Sequence, residues 1–460
     1  MFFQQIYDKT LSQASYFIGC QAKNVAIVID PKRDVDTYIE IAKQNNMLIT
    51  HVAETHIHAD FLSGSRELVS LTGANLYLSD LGGESWQYEF PHVGLREDDV
   101  IQVGNLSLNV LFTPGHTPES ISFLLHDHPA TDKPVMVFTG DFVFVGDIGR
   151  PDLLEESAGL IGSKEKGAQQ MFESLQRFAT LPDYVQIWPG HGAGSACGKS
   201  LGSVPNSTVG YEKIRNWAFQ YGDDFQGFQE ELLRDQPEAP LYFAMMKKLN
   251  KQNRPLLSAV PKHENYSVKQ VQDMENITLF DTRDKQEFAQ GHLEGSINIQ
   301  HKNSLANWAG WMLNYEDNIV VIAQEGQQEE ITRKLMRIGM DNIVGFVTNL
   351  QEFPLKNSSI VNADDIRELI DNKNAILLDV RSRTEYQQGH IPGAKHCFIG
   401  YLAKQLPLAL KDENLIIYCQ SGDRSTIAAS YLESNGFKHV FNYAGSYLDW
   451  KTKGNPISTS

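Results

Sequence analysis

This chain of 460 residues lacks several features that define other protein classes. Its four cysteines are too few for a disulfide framework. No apolar run approaches the ~18 residues that a membrane span needs. The net charge of −17 provides no basic excess of the kind that nucleic-acid binding requires. The N-terminus also lacks the basic region and apolar core of a signal peptide. We therefore expect a cytoplasmic protein that binds neither nucleic acid nor membranes.

The length predicts about three domains. In the first part of the chain, short apolar segments alternate with loops and indicate strands at residues 25–30, 47–53, 75–78, 106–111 and 135–138. Residues 167–179 have helical spacing, with Met171, Leu175 and Phe178 on one face. These elements predict a sheet-rich α/β layer structure. Residues 223–264 are polar and helical in composition, and we interpret them as a helical appendage followed by a linker.

The last 200 or so residues contain an internal repeat. Asp281-Thr282-Arg283 and Asp379-Val380-Arg381 start the two copies, and each is followed by a Gly-His pair, at His292 and His390. An apolar segment precedes each copy, and a second apolar segment later leads into a glycine-containing loop and a helix. Two domains of strand–helix alternation are the economical interpretation.

Residues able to bind a metal follow several of the predicted strands. His56, His58 and Asp60 alternate directly after the strand at 47–53, so an extended segment would point all three the same way. His116 and His191 lie in Pro-Gly-His turns, and Asp141 follows the strand at 135–138. One such turn is commonly structural, but several strand ends with ligand-type residues indicate a metal site.

The order His-x-His-x-Asp, His, Asp, His resembles the metallo-β-lactamase superfamily over roughly residues 1–250. That resemblance implies an αβ/βα sandwich with metal between the sheet edges. The dinuclear zinc hydrolases of the superfamily have histidine where this chain has Phe61, which cannot donate a lone pair. Two imidazoles and one carboxylate with open positions form the facial triad of non-haem Fe(II) oxygenases.

The branch of the superfamily that uses such iron is the persulfide dioxygenases. The resemblance implies that His56, His116 and Asp141 hold one Fe(II) per chain. By the same resemblance His58, Asp60 and His191 support those ligands or are remnants of a second metal site. Alternatively, Asp60, Asp141 and His191 hold a weak second metal, as in a zinc hydrolase.

Two further residues are candidates for substrate binding in the first domain. Arg150 follows the aspartate ligand and suits a substrate carboxylate, with a structural salt bridge as the alternative. Cys197 lies six positions after His191, which would place it near the metal, and the resemblance to multidomain members implies that it handles sulfur there, with a buried inert thiol as the alternative.

Cys419 is the clearest nucleophile in the sequence. It ends the predicted strand at 415–418 and precedes a helix-like run, so backbone N–H groups and Arg424 would stabilise its thiolate. Gly422 lets the loop curl tightly. The loop Cys419-Gln420-Ser421-Gly422-Asp423-Arg424-Ser425 resembles the active site of the rhodanese sulfurtransferases, with Cys419 and Arg424 as catalytic residues. Gly422 and Ser425 are predicted to contribute to substrate binding.

The first repeat lacks both of these groups. Aligned on the loops, Ala323 stands at the position of Cys419 and Gln328 at that of Arg424. We expect this repeat to be catalytically silent and to act as a spacer, a docking surface or an oligomer interface.

The whole chain therefore resembles the bacterial multidomain persulfide dioxygenase–sulfurtransferases. It predicts an α/β protein with a metallo-β-lactamase αβ/βα sandwich at residues 1–255, an inactive rhodanese-like domain at 256–355 and an active one at 356–460. The resemblance implies that low-molecular-weight persulfides are oxidised with O2 to sulfite, and that sulfite and persulfide give thiosulfate, which would detoxify sulfide. Self-association into a homo-oligomer is also expected.

Three alternatives stay open at this point. They are a dinuclear zinc thioester hydrolase of the glyoxalase II type with a rhodanese tail, a sulfurtransferase whose metal domain only binds persulfide, and a sulfide-sensing scaffold. The sequence does not identify the thiol of the persulfide, so glutathione, coenzyme A, bacillithiol and cysteine all remain candidates.

Overall fold

The computed structural model describes residues 1–153, 155, 162–199, 201–371 and 375–459. It divides into two compact units, Met1–Val260 with Met336–Gly339, and Pro261–Leu335 with Met340–Ser460. All four cysteines are free thiols, as their small number predicts. Among the described residues, no helix has the length and apolar character to cross a membrane.

Two six-stranded sheets form the first unit. The strand order is β1-β2-β3-β4-β5-β6 in the first sheet and β12-β11-β10-β9-β8-β7 in the second. Within the first sheet β3, β4, β5 and β6 are parallel. The strands are β1 Phe2–Asp8, β2 Gln13–Cys20, β3 Val25–Ile29, β4 Leu48–Ala53, β5 Asn75–Ser79, β6 Val93–Leu95, β7 Val100–Val103, β8 Leu106–Phe112, β9 Ile121–Asp127, β10 Pro134–Gly140, β11 Gln186–Pro189 and β12 Ser207–Thr208.

Helices cover the outer faces of both sheets. The described helices of this unit are α1 Asp36–Gln44, α2 Ser65–Thr72, α3 Ser163–Phe178, α4 Val209–Arg215, α5 Phe225–Leu233 and α6 Phe243–Lys251, with 3-10 turns at Glu84–Trp86 and Trp217–Phe219. The helices α5 and α6 fall in the segment predicted to be a helical appendage. In α3 the predicted apolar face is confirmed, since Met171, Leu175 and Phe178 are buried.

Side-chain alternation along the strands builds a four-layer structure. In β3, Ile27 and Ile29 pack into a core shared by both sheets, whereas Ala26 and Val28 pack into a core that includes residues of α1 and α2. This follows from the period of two in a strand. A third core joins the outer face of the second sheet to α3, α4 and α5. The predicted αβ/βα sandwich is therefore confirmed.

The second unit contains two four-stranded parallel sheets. Their orders are β14-β13-β15-β16 and β18-β17-β19-β20. The strands are β13 Ile277–Asp281, β14 Ile297–Asn298, β15 Asn318–Ile322, β16 Ile343–Val347, β17 Ile376–Asp379, β18 Lys395–His396, β19 Leu415–Tyr418 and β20 Val440–Asn442. The identical order in the two sheets confirms the repeat predicted from the sequence.

Helices connect these parallel strands, as crossover connections require. The helices described after residue 260 are α7 Val268–Gln272, α8 Lys285–Gln290, α9 Leu305–Met312, α10 Gln328–Met336, α11 Ala363–Asp371, α12 Arg383–Gln388, α13 Asp423–Ser434 and α14 Ser446–Thr452, with 3-10 turns at Ile399–Tyr401 and Leu408–Leu410. The domain boundaries at 255/256 and 355/356 stay a prediction.

One local expectation does not hold. The segment after β4 is a series of bends and not an extended strand, so the alternation argument for His56, His58 and Asp60 does not apply to it. Buried hydrogen bonds to Asn250, which donates to the carbonyls of His58 and Phe61, hold this segment instead.

Candidate metal centre and sulfur-transfer site

Three predicted ligands converge at the ends of strands in the first unit. His56 follows β4, His116 lies in the loop after β8, and Asp141 comes directly after β10. All three are buried. Oδ2 of Asp141 lies 3.8 Å from Nε2 of His56 and 3.6 Å from Nε2 of His116. Their potential ligand atoms therefore face a common point, each within 4.8 Å of the others.

Hydrogen bonds on the far side of each imidazole fix its orientation. Thr55 Oγ1 donates to Asp30 Oδ2 at 2.8 Å and so accepts from Nδ1 of His56 at 3.0 Å. Nδ1 of His116 donates to the carbonyl of Arg150 at 3.0 Å. With the proton on Nδ1 in each ring, the lone pair of Nε2 points to the centre.

The donor atoms fit a metal ion. His56 Nε2 and Asp141 Oδ2 are buried without a hydrogen-bond partner among the described residues, and such atoms are costly unless something binds them. Burial lowers the pKa of His56 well below its ordinary value and also lowers that of His116. Both rings are therefore neutral, as metal ligands must be.

His191 links the two carboxylates beside this point. Its Nδ1 lies 2.7 Å from Asp141 Oδ1 and its Nε2 lies 2.7 Å from Asp60 Oδ2. Burial opposes a charge on His191, but Asp141 and Asp60 raise its pKa well above the ordinary value. Burial also opposes charge on Asp141, yet His191 holds the pKa of this carboxyl below its usual range. In this arrangement an imidazolium occupies the space between the two carboxylates.

His58 has different partners from His56. Its Nε2 lies 3.2 Å from Asp30 Oδ1 and 3.9 Å from Glu54 Oε2. Burial opposes the charged ring, but Asp30 and Glu54 raise the pKa of His58 to about 9. A protonated imidazole donates and cannot coordinate a metal. The buried ring of Phe61 packs on His58 with centroids 4.3 Å apart.

Cys197 lies beside the metal centre. Its Sγ belongs to a second group of potential ligands, with Asp60 and His191, whose atoms lie within 4.8 Å of one another. Burial and the two nearby carboxylates, Asp141 and Asp60, raise the pKa of this thiol well above its ordinary value. The thiol is therefore protonated in the metal-free protein, and its role in handling sulfur stays a prediction.

Arg150 is buried and its guanidinium pairs with Asp152. Nε donates to Asp152 Oδ1 at 2.9 Å and Nη2 donates to Oδ2. The structural salt bridge that we considered as an alternative is therefore present. Substrate binding by Arg150 stays a prediction.

Two acidic residues at this centre escaped sequence reasoning. Asp30 has a left-handed backbone with φ of 51° just after β3, and its carboxylate accepts from the N–H and hydroxyl of Thr55. Glu119 Oε1 accepts from the N–H of Ile57 at 2.7 Å, and burial raises the pKa of Glu119 to about 7. The sequence did contain a signal for Asp30, because this acidic residue follows β3, which runs parallel to β4.

The second site surrounds Cys419 at the end of β19. Gly422 has φ of +95°, and a Cβ there would lie 2.2 Å from the carbonyl oxygen of Ala444, so the turn requires glycine. The N–H of Gly422 donates to Cys419 Sγ at 3.1 Å, and Ser446 Oγ lies 3.7 Å from the same sulfur. These donors stabilise negative charge on sulfur.

Arg424 lies on the first turn of α13 and pairs with Glu385. Nη1 and Nη2 donate to the two carboxylate oxygens at 2.6 and 2.7 Å. Burial alone would raise the pKa of Glu385, but Arg424 lowers it. Ser425 is buried, and its hydroxyl donates to the carbonyl of Gly422 at 3.2 Å. Both side chains therefore brace the loop, and their catalytic and substrate-binding roles stay predictions.

The two halves of the chain match two family models. The model of the metallo-beta-lactamase superfamily matches residues 9–191, and the model of the rhodanese-like domain matches residues 264–349 and 362–453. The strand-end residues His56, His116, Asp141 and His191 and the loop at Cys419 lie inside these matches.

Three proteins illustrate what this chain is similar to. A crystal structure of a metallo-beta-lactamase from Staphylococcus aureus is 46% identical, with 75% of this chain and 98% of that chain covered and a TM-score of 0.69. The persulfide dioxygenase ETHE1 of Bos taurus is 28% identical over 41% of this chain and 67% of its own length. A probable polyketide biosynthesis zinc-dependent hydrolase, BaeB of Bacillus velezensis, is 26% identical over 45% of this chain and 84% of its own length.

Fold and site define a metal-binding αβ/βα sandwich joined to two rhodanese-like domains. The chain belongs to the metallo-beta-lactamase superfamily.

Proposed function

We propose that this protein is a non-haem iron persulfide dioxygenase coupled to rhodanese sulfur transfer. One persulfide R-S-SH, one O2 and one water give R-SH, sulfite and two protons. A second persulfide and sulfite then give R-SH and thiosulfate. The observation that carries the first step is the convergence of two neutral imidazoles and one carboxylate, His56, His116 and Asp141, on one buried point.

Phe61 supports iron over a pair of zinc ions. The side chain is buried beside His58 and offers no lone pair. Fe(II) held by His56, His116 and Asp141 would supply open coordination positions and a redox-active centre, while the sulfane sulfur of the persulfide would supply the four electrons that reduce O2. The similarity to a protein named persulfide dioxygenase points to the same reaction.

The chain's own residues prepare this site. The hydrogen bonds of Nδ1 in His56 and His116 keep both Nε2 atoms free of protons. His191 holds Oδ1 of Asp141 and leaves Oδ2 to the centre. The burial of all these groups keeps bulk water away from the site, which limits side reactions of a persulfide.

Cys419 carries the sulfur in the second step. Its thiolate attacks the outer sulfur of R-S-SH, so that the S–S bond of the substrate breaks and R-S⁻ leaves and takes a proton. Sulfite then attacks the outer sulfur of the Cys419 persulfide, which gives thiosulfate and restores the thiolate. The N–H of Gly422 is placed to stabilise the charge on sulfur at both stages.

A second candidate function is a dinuclear zinc thioester hydrolase of the glyoxalase II type. It is favoured by the second group of potential ligands, Asp60, His191 and Cys197, and by the similarity to a protein named zinc-dependent hydrolase. To take a second metal, His191 would have to release at least one of the two carboxylates that it now bridges.

We also infer a cytoplasmic location, a low-molecular-weight thiol persulfide as substrate, and a homo-oligomeric state. These inferences rest on the sequence and on the proposed reaction.

Oxygen uptake tests the proposal. Protein loaded with Fe(II) without air is given glutathione persulfide or coenzyme A persulfide, and O2, sulfite and thiosulfate are measured. We expect uptake with thiosulfate as the main product, and loss of uptake in His116→Ala with thiosulfate:cyanide sulfur transfer retained. Two zinc ions per chain with cleavage of thioesters and no O2 uptake would establish the hydrolase instead.

A further inference from the structure

Two lysines of the silent repeat reach the loop that surrounds Cys419. Both repeats lie in one compact unit. Lys285 Nζ, at the start of α8, donates to the carbonyl of Ser421 at 2.8 Å and to Asp423 Oδ1 at 2.6 Å. Lys302 Nζ donates to Asp423 Oδ2 at 2.9 Å. Residues 421–423 of the active loop are therefore held from outside their own repeat.

The contact of Lys285 continues to the sulfur through a single peptide group. The carbonyl of Ser421 and the N–H of Gly422 belong to the same peptide. Its oxygen accepts from the Lys285 ammonium, and its N–H donates to Cys419 Sγ at 3.1 Å. Because hydrogen bonds in a chain polarise one another, a cation on the oxygen makes the N–H a stronger donor.

The ammonium of Lys285 also packs directly on this turn. A Cβ built on Gly422 would lie 3.1 Å from Lys285 Nζ. The two arginines of the same site are engaged elsewhere, since Arg424 pairs with Glu385 and Arg381 pairs with Asp379. Lys285 therefore brings a positive charge to the turn without depending on those pairs.

Asp423 holds the lysine in place. Its two carboxylate oxygens are divided between the two ammonium groups, one for Lys285 and one for Lys302. Burial opposes charge on this carboxyl, but the lysines lower the pKa of Asp423 to about 2. The carboxylate is therefore ionised throughout the pH range in which a thiolate forms.

We propose that Lys285 of the silent repeat is a positioning residue of the sulfurtransferase site, acting on Cys419 through the Ser421–Gly422 peptide. Asp423 and Lys302 keep it in position. The silent repeat is then a working part of the neighbouring active site and not a spacer. This inference rests on the proposed sulfur transfer by Cys419 and deepens it.

The test compares Lys285→Met with three variants of the full-length protein. Lys302→Met removes a contact to Asp423 but leaves the Ser421 carbonyl bonded. Lys285→Arg keeps a cation at the turn. Lys356→Met changes a half-exposed lysine that pairs with Glu294 at 3.9 Å, and it serves as the control.

The readouts separate positioning from folding. The first is the rate at which iodoacetamide alkylates Cys419 at pH 7, followed by mass spectrometry of the Cys419 peptide. The second is kcat and KM for sulfur transfer from thiosulfate to cyanide. For Lys285→Met we expect both the alkylation rate and kcat to fall about tenfold, as loss of a charge-assisted hydrogen bond implies. The KM for thiosulfate is expected to change less than kcat.

The comparison variants give graded expectations. In Lys302→Met, the alkylation rate and kcat are expected to fall about two- to threefold. Lys285→Arg should keep most of both rates, and Lys356→Met should match the parent protein. Equal alkylation rates in Lys285→Met and the parent would overturn the inference, as would equal losses in Lys285→Met and Lys302→Met.

Failure of the proposed function would look different. If the parent protein transfers no sulfur, kcat cannot be measured in any variant, but the alkylation rate of Cys419 still tests the role of Lys285. If the parent transfers sulfur and Lys285→Met does so equally well, the inference alone fails. Oxygen uptake should be the same in all four variants, because none of the changes lies in the first unit.

Discussion

The two rhodanese-like repeats use the same construction at the end of their first strand. In the first, Arg283 pairs with Asp281 and donates to the carbonyl of Gly291. In the second, Arg381 pairs with Asp379 and donates to the carbonyl of Gly389. Each repeat also stacks a histidine on an aromatic ring four residues earlier, with centroids 3.9 Å apart in both.

The difference between the repeats lies at the end of the second strand. β15 runs into Ala323 and β19 into Cys419, and the strand registers agree, with Asp281 opposite Ile322 and Asp379 opposite Tyr418. The glycine turn is kept, with φ of +88° at Gly326. The rhodanese-like scaffold of the first repeat therefore keeps the same strand register and glycine turn with alanine at the position of Cys419.

Replacing the nucleophile should have the largest effect. Cys419→Ser keeps the size of the side chain and removes the sulfur that carries the transferred atom. We expect thiosulfate formation to fall to the uncatalysed level while O2 uptake continues, so that sulfite accumulates. Ion chromatography of the products measures this. An unchanged fraction of thiosulfate would mean that another residue, with Cys197 the first to examine, carries the sulfur.

The paired arginines give a comparison of stability. Arg381 is 2% exposed, whereas the side chain of Arg283 is 16% exposed. Removing one partner of a buried ion pair leaves an unpaired charge, so Arg381→Met should cost about 3–5 kcal/mol. The more exposed Arg283→Met should cost about 1–3 kcal/mol.

Hydrogen exchange localises each loss to its own sheet. We expect faster exchange in β17 for Arg381→Met and in β13 for Arg283→Met. A larger loss from Arg283→Met would show that exposure does not set the difference between the two pairs.

Placing a cysteine in the first repeat should have a smaller effect. In a Cys419→Ser background, Ala323→Cys places a thiol beside the retained Gly326 turn. The N–H of residue 323 donates to the carbonyl of Val347, whereas that of Cys419 donates to Ser446 Oγ, and Gln328 supplies no cation. We expect an alkylatable thiol with less than about a tenth of the Cys419 transfer rate. A rate equal to that of Cys419 would show that neither Ser446 nor Arg424 matters.

The sequence predicted the residues of both sites that lie at strand ends. Ligand-type residues follow β4 of the first sheet and β8 and β10 of the second, so His56, His116 and Asp141 could be expected to meet. The repeat and the motif around Cys419 could be expected to give a nucleophile at a strand-to-helix turn, and the described structure places Cys419 there.

Side-chain contacts between residues far apart in the sequence could not be predicted. Asp30, which has a left-handed backbone, supports His56 through Thr55, although 25 residues separate Asp30 from Thr55. Nothing in the sequence around Arg150 distinguished a substrate ligand from the partner of Asp152. Likewise, the contact of Lys285 with a loop 136 residues away depends on how the two repeats pack. Local periodicity carries no information on such pairs.

The smallest expected effect concerns the pH dependence of the link between the repeats. Because the pKa of Asp423 is lowered to about 2 in the folded protein, the ion pair contributes stability above the unfolded pKa of about 4 and loses it as the pH falls towards 2. Asp423→Asn should therefore reduce the exchange protection of α13 by the same small factor at pH 8, 7, 6 and 5. The two proteins should converge only below about pH 4. A difference that fades between pH 8 and 5 would assign the effect to a group other than Asp423, since this carboxylate keeps its charge across that range.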